Sequence, residues 1–255
     1  MTSPKNRPLH SSDNSGAQRR VYGPDPSQFG ELHLPTGTLR GVVVVIHGGF
    51  WRSPYDYGLG SPLAVSLADN GWAAWNVEYR RVGNGGGNPA TFDDVSSAID
   101  SLADMDLDLS TVVALGHSAG GHLATWSASR HRDPRWAGGV AVTHVISQAG
   151  VLDLVTADEQ HLGDDAVQNF LGHRPGFEDA IVDPQQQLPL DVPVWCIHGD
   201  SDVNVPIGQS TGYVEAATAA GAAAEMVRVD GDHFVVIDVA SDAWALTLEI
   251  LDNIR

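Results

Sequence analysis

"VVALGHSAGGHLATW", residues 112–126, changes character at a single serine. Before it, the apolar, β-branched start reads as a buried strand; after it, the apolar residues fall at helical spacing. Ser118 occupies the junction, with Gly116, Ala119, Gly120 and Gly121 around it. Two readings fit this stretch. A serine at a helix start is an ordinary cap. A serine on a sharp strand–turn–helix elbow, where only small neighbours fit, is an exposed nucleophile. With 28 glycines in 255 residues the motif alone cannot choose between them. Its partners elsewhere in the chain must.

Working outward, apolar strand-like runs alternate with helical patterns. "GVVVVIHGG" (41–49), "WAAWNVEYR" (72–80), "TVVALGHS" (111–118), "VAVTHVISQAG" (140–150), "VPVWCIHG" (192–199) and "AAEMVRVDG" (223–231) read as strands. Between and after them, "SPLAVSLADNG" (61–71), "FDDVSSAIDSLADM" (92–105), "AGGHLATWSASRH" (119–131), "IGQSTGYVEAATAAG" (207–221) and "DAWALTLEILDNI" (242–254) read as helices. Parallel strands need helical crossovers, so the alternation predicts an α/β fold: a mostly parallel central sheet with helices on both faces. Such sheets place their sites at the carboxyl ends of the strands. "HGG", "GHSAG", "HGDSD" and "GDH" all lie where strands end, so four polar clusters should share one crevice.

Bulk composition narrows the function classes. The chain is 42% hydrophobic and carries 32 acidic against 14 basic residues, a formal charge of −18. No basic stripe offers itself to nucleic acid or to an anionic membrane, and no apolar run approaches the ~20 residues of a bilayer span. Residues 1–20 are polar and read as a disordered arm, with 21–255 as one domain; no secretory leader pattern is present, so a cytoplasmic location is expected. Cys196, the single cysteine, lies in an apolar run and is expected to be a buried, inert thiol. The last helix carries an apolar stripe that serves the core or, in a homodimer, a second copy; the core is expected.

A serine hydroxyl needs a base to take its proton and a third group to orient that base. Past the strand of 192–199 stand Asp200 and Asp202, and past the last strand stands His233, in the order serine, acid, histidine. Ala119, directly after the serine, offers one backbone N–H to an oxyanion, and Gly49 and Phe50 in "HGGFW" (47–51) offer others. His47, His117, His122 and His198 raise the thought of a metal, but neither H-E-x-x-H nor a cysteine pair accompanies them, and no metal site is expected. His144 and His161 read as packing or surface residues. Asp200, Asp230 and Asp232 read as turn residues, with Asp200 the substitute acid.

At "HGGFW" and "GHSAGGHLA" the chain resembles the α/β-hydrolases, most closely their arylformamidase (kynurenine formamidase) and small-carboxylesterase branch. That branch borders the hormone-sensitive-lipase-like esterases. The resemblance implies that the acid is the Asp of an H-G-x-x-D-x-x-V-P pattern, here His198, Gly199, Asp202, Val205 and Pro206, which favours Asp202 over Asp200. It implies Ser118, Asp202 and His233 as catalytic residues, Gly49, Phe50 and Ala119 as an oxyanion hole, and no cofactor. Where esterases of the neighbouring branch carry a third glycine, this chain has Phe50 followed by Trp51, either walling a pocket or packing the loop. "VEYRRVGNGGGNP" (77–89) is read as a mobile rim. The stretch between Gly150 and Leu188 holds one short helix at most, "DDAVQNFLG" (164–172), so only a small cap is expected. An open pocket of that kind suits a small soluble ester or an aryl formamide. The alternatives are an exopeptidase-type serine hydrolase and a non-catalytic binding protein on the same fold.

Overall fold

The computed structural model describes residues 16–254. Its eight strands are β1 (Gln18–Val21), β2 (Phe29–His33), β3 (Val42–Ile46), β4 (Ala73–Val77), β5 (Val112–His117), β6 (His144–Gln148), β7 (Val194–Gly199) and β8 (Ala224–Val229). They form one sheet in the order β1-β2-β4-β3-β5-β6-β7-β8. Only β2 runs against its neighbours; from β4 to β8 every pairing is parallel. The expected architecture is therefore present, extended by two N-terminal strands that the alternation did not announce. The expected arm needs correcting at its end, because β1 begins at Gln18. Residues 1–15 of that arm lie outside the described residues.

The described residues form seven α-helices, α1 (Ser61–Asp69), α2 (Ala90–Asp100), α3 (Ala119–Ser129), α4 (Leu154–Glu159), α5 (Ala166–Leu171), α6 (Gly208–Ala219) and α7 (Asp242–Asn253), of which α1, α2, α3, α6 and α7 pack on the sheet. Both faces of the central strands are covered, which explains why their sequences are continuously apolar rather than alternating. Val42, Val44 and Ile46 join the core beneath α2, α3 and α6, while Val43 and Val45 join the core beneath α1 and α7. Helix α7 lies on the sheet as expected, burying Ala243, Trp244 and Leu251; the Trp244 indole N–H donates to Ser66 Oγ at 2.8 Å. Cys196 is fully buried in β7, and burial pushes its thiol up to about 12. No described helix is long and apolar enough to cross a membrane.

The cap is larger than the single short helix expected. It holds α4, α5 and two short 3₁₀ turns, Phe177–Asp179 and Pro184–Gln187. Asp153 caps α4 by accepting from the Thr156 N–H. Both cap helices have only six residues, too few to stand alone, so contacts with the domain beneath must hold them.

Candidate active site

Ser118 follows β5 directly and precedes α3, with φ 56° and ψ −121°. A non-glycine residue in this region is strained by roughly 1–3 kcal/mol, and the surroundings must impose it. They do so by crowding. A methyl group on Gly120 would overlap the carbonyl oxygen of Ile46, and one on Gly116 would overlap that of Gly120. The serine N–H is held by the Gln148 carbonyl at 2.8 Å, and its own carbonyl accepts from His122 N. Its side chain caps nothing. The backbone at Ser118 thus takes the sharp strand–turn–helix elbow, and the serine is not an ordinary helix cap.

His233 and Asp202 meet. His233 Nδ1 and Asp202 Oδ2 are 2.6 Å apart, with the histidine 4% exposed and the carboxylate side chain fully buried. Burial alone would raise the Asp202 pKa. Hydrogen bonds from His198 and His233, and from the Val205 N–H, outweigh it and hold the carboxyl far below the usual range. Asn204 N also donates to it, at 2.8 Å. Asp200 instead pairs with Arg228 at 2.8 Å on the surface, away from the histidine. Among the described residues, neither the Ser118 hydroxyl nor His233 Nε2 has a hydrogen-bond partner, so the structure leaves the link between them open.

His198 reaches the same carboxylate. Its Nε2 lies 2.9 Å from the Val205 carbonyl and 3.1 Å from Asp202 Oδ2, so Nε2 carries a proton, and Nδ1 lies 2.8 Å from the Ser210 hydroxyl. His117 was missed. Its Nε2 donates to the main-chain carbonyl of His233 at 2.9 Å, and the two rings are 4.5 Å apart. Burial, as the largest cause, lowers its pKa to about 3. It is a neutral strut between the elbow and the loop bearing His233.

The "HGGFW" loop passes over the serine. A Cβ on Gly48 would be 2.9 Å from the Ser118 Cβ. Gly49 has φ 111°, and Phe50 and Trp51 follow with φ 51° and 54°. Among the described residues, none of the N–H groups of Gly49, Phe50 and Ala119 donates to another backbone oxygen. These three amides are therefore free of backbone acceptors, and Ala119 opens α3 at the positive end of its dipole.

Trp51 corrects the pocket expectation. It is 1% exposed, stacks on Phe170 of α5 at 4.7 Å, and donates its indole N–H to His122 Nδ1 at 3.2 Å. His122 passes its own N–H to the Val182 carbonyl at 2.8 Å, and burial lowers its pKa to about 4. Trp51 therefore packs the loop against the cap, the second of the two readings offered for it. Phe50 is half-buried, its ring against Gly163 of the cap, where Arg52 also binds the Gly163 and Asp164 carbonyls.

The expected rim at 77–89 is corrected too. Glu78, Tyr79 and Arg81 are buried, Tyr79 donates its hydroxyl to the His47 carbonyl at 2.6 Å, and Val82 N donates to the Trp51 carbonyl at 2.8 Å. Arg80 grips Asp94 through two bonds of 2.6 and 2.8 Å. Residues 78–82 thus buttress the glycine loop, while Gly83 and Gly85 beyond them are exposed.

The sheet order and the strand–serine–helix elbow after β5, with Asp202 and His233 following β7 and β8, define an α/β-hydrolase fold. The BD-FAE family model matches residues 31–216, and the chain belongs to that family. Esterase LipQ of Mycobacterium tuberculosis is 28% identical over 212 residues, covering 74% of this chain and 48% of that protein. The isoprenylcysteine α-carbonyl methylesterase of Arabidopsis thaliana is 26% identical over 234 residues, covering 83% and 54%. The chain thus spans about half the length of the curated relatives it matches. Among solved structures, an esterase from Thermogutta terrifontis superposes with a TM-score of 0.75 at 25% identity, covering 93% of this chain and 90% of that one. A carbohydrate esterase from gut microbiota superposes at 0.77 with 20% identity over 92% and 94%, a likeness of fold alone.

Proposed function

We propose that this chain is a serine hydrolase of the carboxylesterase type, acting on small soluble esters. Ser118 attacks the carbonyl carbon while His233 Nε2 takes the hydroxyl proton. Asp202 holds the imidazole in the Nδ1–H tautomer and offsets the charge it gains. The amides of Gly49, Phe50 and Ala119 receive the oxyanion. His233 returns the proton to the leaving alcohol; water then repeats the attack on the acyl-serine and releases the acid. The observation that carries this reading is the 2.6 Å Asp202–His233 bond, at the sheet edge where Ser118 holds a strained positive φ.

Two facts support esters as the substrates. The relatives and neighbours are named esterases. The cap helices are only six residues each, which suits a short acyl group better than a long lipid chain. The same machinery cleaves aryl formamides, so the deciding experiment is a substrate panel. p-Nitrophenyl acetate and butyrate are compared with N-formylkynurenine, using wild type and Ser118→Ala. Ester turnover that disappears in Ser118→Ala is expected. Preference for the formyl amide would move the chain to the arylformamidase branch. Activity on amino-terminal peptides would mark an exopeptidase, and no labelling by a fluorophosphonate would mark a binding protein.

A further inference from the structure

Beneath the glycine loop lies a buried chain of charge and hydrogen bonds that the proposed reaction does not use directly. Glu78 accepts from Arg81, from Tyr79 N at 2.8 Å and from Tyr57 N at 3.1 Å. Arg81 Nη1 lies 3.1 Å from His47 Nε2, and His47 Nδ1 lies 2.8 Å from the Gly48 carbonyl oxygen. The His47 side chain is fully buried, and those of Glu78 and Arg81 are each 5% exposed.

The chain has one polarity. A guanidinium only donates, so His47 Nε2 must accept, and the imidazole proton must sit on Nδ1. That proton is given to the Gly48 carbonyl. Burial, and next the Arg81 charge, lower the His47 pKa to about 3, in keeping with a neutral ring. The Gly48 C=O and the Gly49 N–H belong to one planar trans peptide and point in opposite directions. Holding the carbonyl back toward His47 therefore turns the Gly49 N–H the other way. Stacking of His47 on Tyr79, at 4.4 Å and 17°, fixes the plane in which the ring donates.

We infer that Glu78, Arg81 and His47 form a positioning relay that selects the histidine tautomer and thereby aims the Gly49 amide at the oxyanion. The inference rests on the esterase reading, and the test separates the two. His47→Phe keeps the stack on Tyr79 and leaves Arg81 paired with Glu78, but removes the donor to Gly48. His47→Asn keeps a donor at the position of Nδ1, and His47→Asp replaces it with an acceptor of the same shape.

Removing an oxyanion donor outright costs about 10²–10³ in turnover, so a misaimed one should cost about tenfold or more. The expected result for His47→Phe is a kcat loss of at least about tenfold with KM nearly unchanged. Affinity for a trifluoromethyl ketone, which forms a tetrahedral adduct, should fall by the same factor. His47→Asn should recover most of the loss and His47→Asp should not; this isosteric pair carries the test if the Phe variant does not fold. Equal kcat in the Asn and Asp variants, or a loss confined to KM, would overturn the relay while leaving the esterase reading intact. Wild-type protein inert toward every ester would overturn both.

Discussion

His117 Nε2 donates to the main-chain carbonyl of His233 at 2.9 Å, so the residue before the serine carries the residue offered as its base. The same imidazole leaves Nδ1 buried without a partner. His117→Phe removes both features while keeping a ring beside His233. Orphaning the buried His233 carbonyl costs about 1–3 kcal/mol, and removal of an orphaned buried nitrogen returns about 1–3 kcal/mol. Stability should therefore change little, while kcat falls as His233 loses its strut. Urea midpoints and ester kinetics on one preparation check this. A large stability loss with unchanged kcat would make His117 a packing residue only.

Strain at Ser118 makes a second expectation. Its φ of 56° suits glycine, so Ser118→Gly should abolish ester turnover yet stabilise the fold by about 1 kcal/mol. For a chain of this size that is a rise of roughly 2–4 °C in Tm. Scanning calorimetry measures it. A fall in Tm would show that the elbow is not strained in solution.

Asp202→Asn tests the acid. The amide keeps the shape, but its N–H₂ group can present a donor to His233 Nδ1 and favour the wrong tautomer. Turnover should drop by about 10⁴. Asp200→Asn, which alters only a surface pair with Arg228, should leave it unchanged. Reversed outcomes in single-turnover assays would exchange the two roles.

What the sequence made legible follows from where each signal is local. Val42–Ile46 and Val112–His117 are buried on both faces, so their apolar runs announce strands without any tertiary knowledge. β1 was hidden because all four of its residues are exposed, and "QRRV" carries no core signal. Ser118, Asp202 and His233 could be put forward from the sequence because each sits in a short motif just past a strand, and the Asp202–His233 contact is the part the structure brings together. Trp51 stayed open between two roles because an aromatic after a glycine pair looks the same whether it faces a pocket or stacks on Phe170, 119 positions away (170 − 51). The contact of His198 with Asp202 had a signal, the H-G-x-x-D spacing itself. The relay from Glu78 to His47 had none, since it joins two loops that only β4 and β3 bring side by side.

Trp51 offers a direct test of how the cap is held. Trp51→Phe keeps the stack on Phe170 but leaves His122 Nδ1 without its donor, a loss of about 1–3 kcal/mol. Trp51→Ala also opens a cavity and should cost about 3–5 kcal/mol. Because the side chain is 1% exposed, neither change should alter acyl-chain preference unless the cap itself shifts. Urea unfolding of the pair, beside an acetate-to-butyrate activity ratio, separates packing from pocket.

Four strongly shifted buried groups bear on how stability depends on pH between about 5 and 7. Burial also lowers His33 and His144, in the same sense as the three histidines among the four. Burial, as the largest cause, lowers His47 and His117 to about 3 and His122 to about 4, from an ordinary 6.5. Below pH 6.5 the unfolded chain binds protons at these sites that the native state does not, so stability rises with pH. This contribution is full above the ordinary histidine value and is lost progressively as the solution is acidified toward the folded values. Asp183 runs the other way. Burial pushes its carboxyl from 3.8 up to about 6, so the native state keeps a proton that the unfolded chain has released. Its effect is to lower stability as pH climbs between those two values. Three histidines act against one carboxyl, so the urea midpoint should fall on acidification from about pH 7 to about pH 5. Asp183→Asn should steepen that fall, because a neutral amide leaves the histidines unopposed. A midpoint that rises on acidification would mean the three imidazoles are already charged in the folded protein.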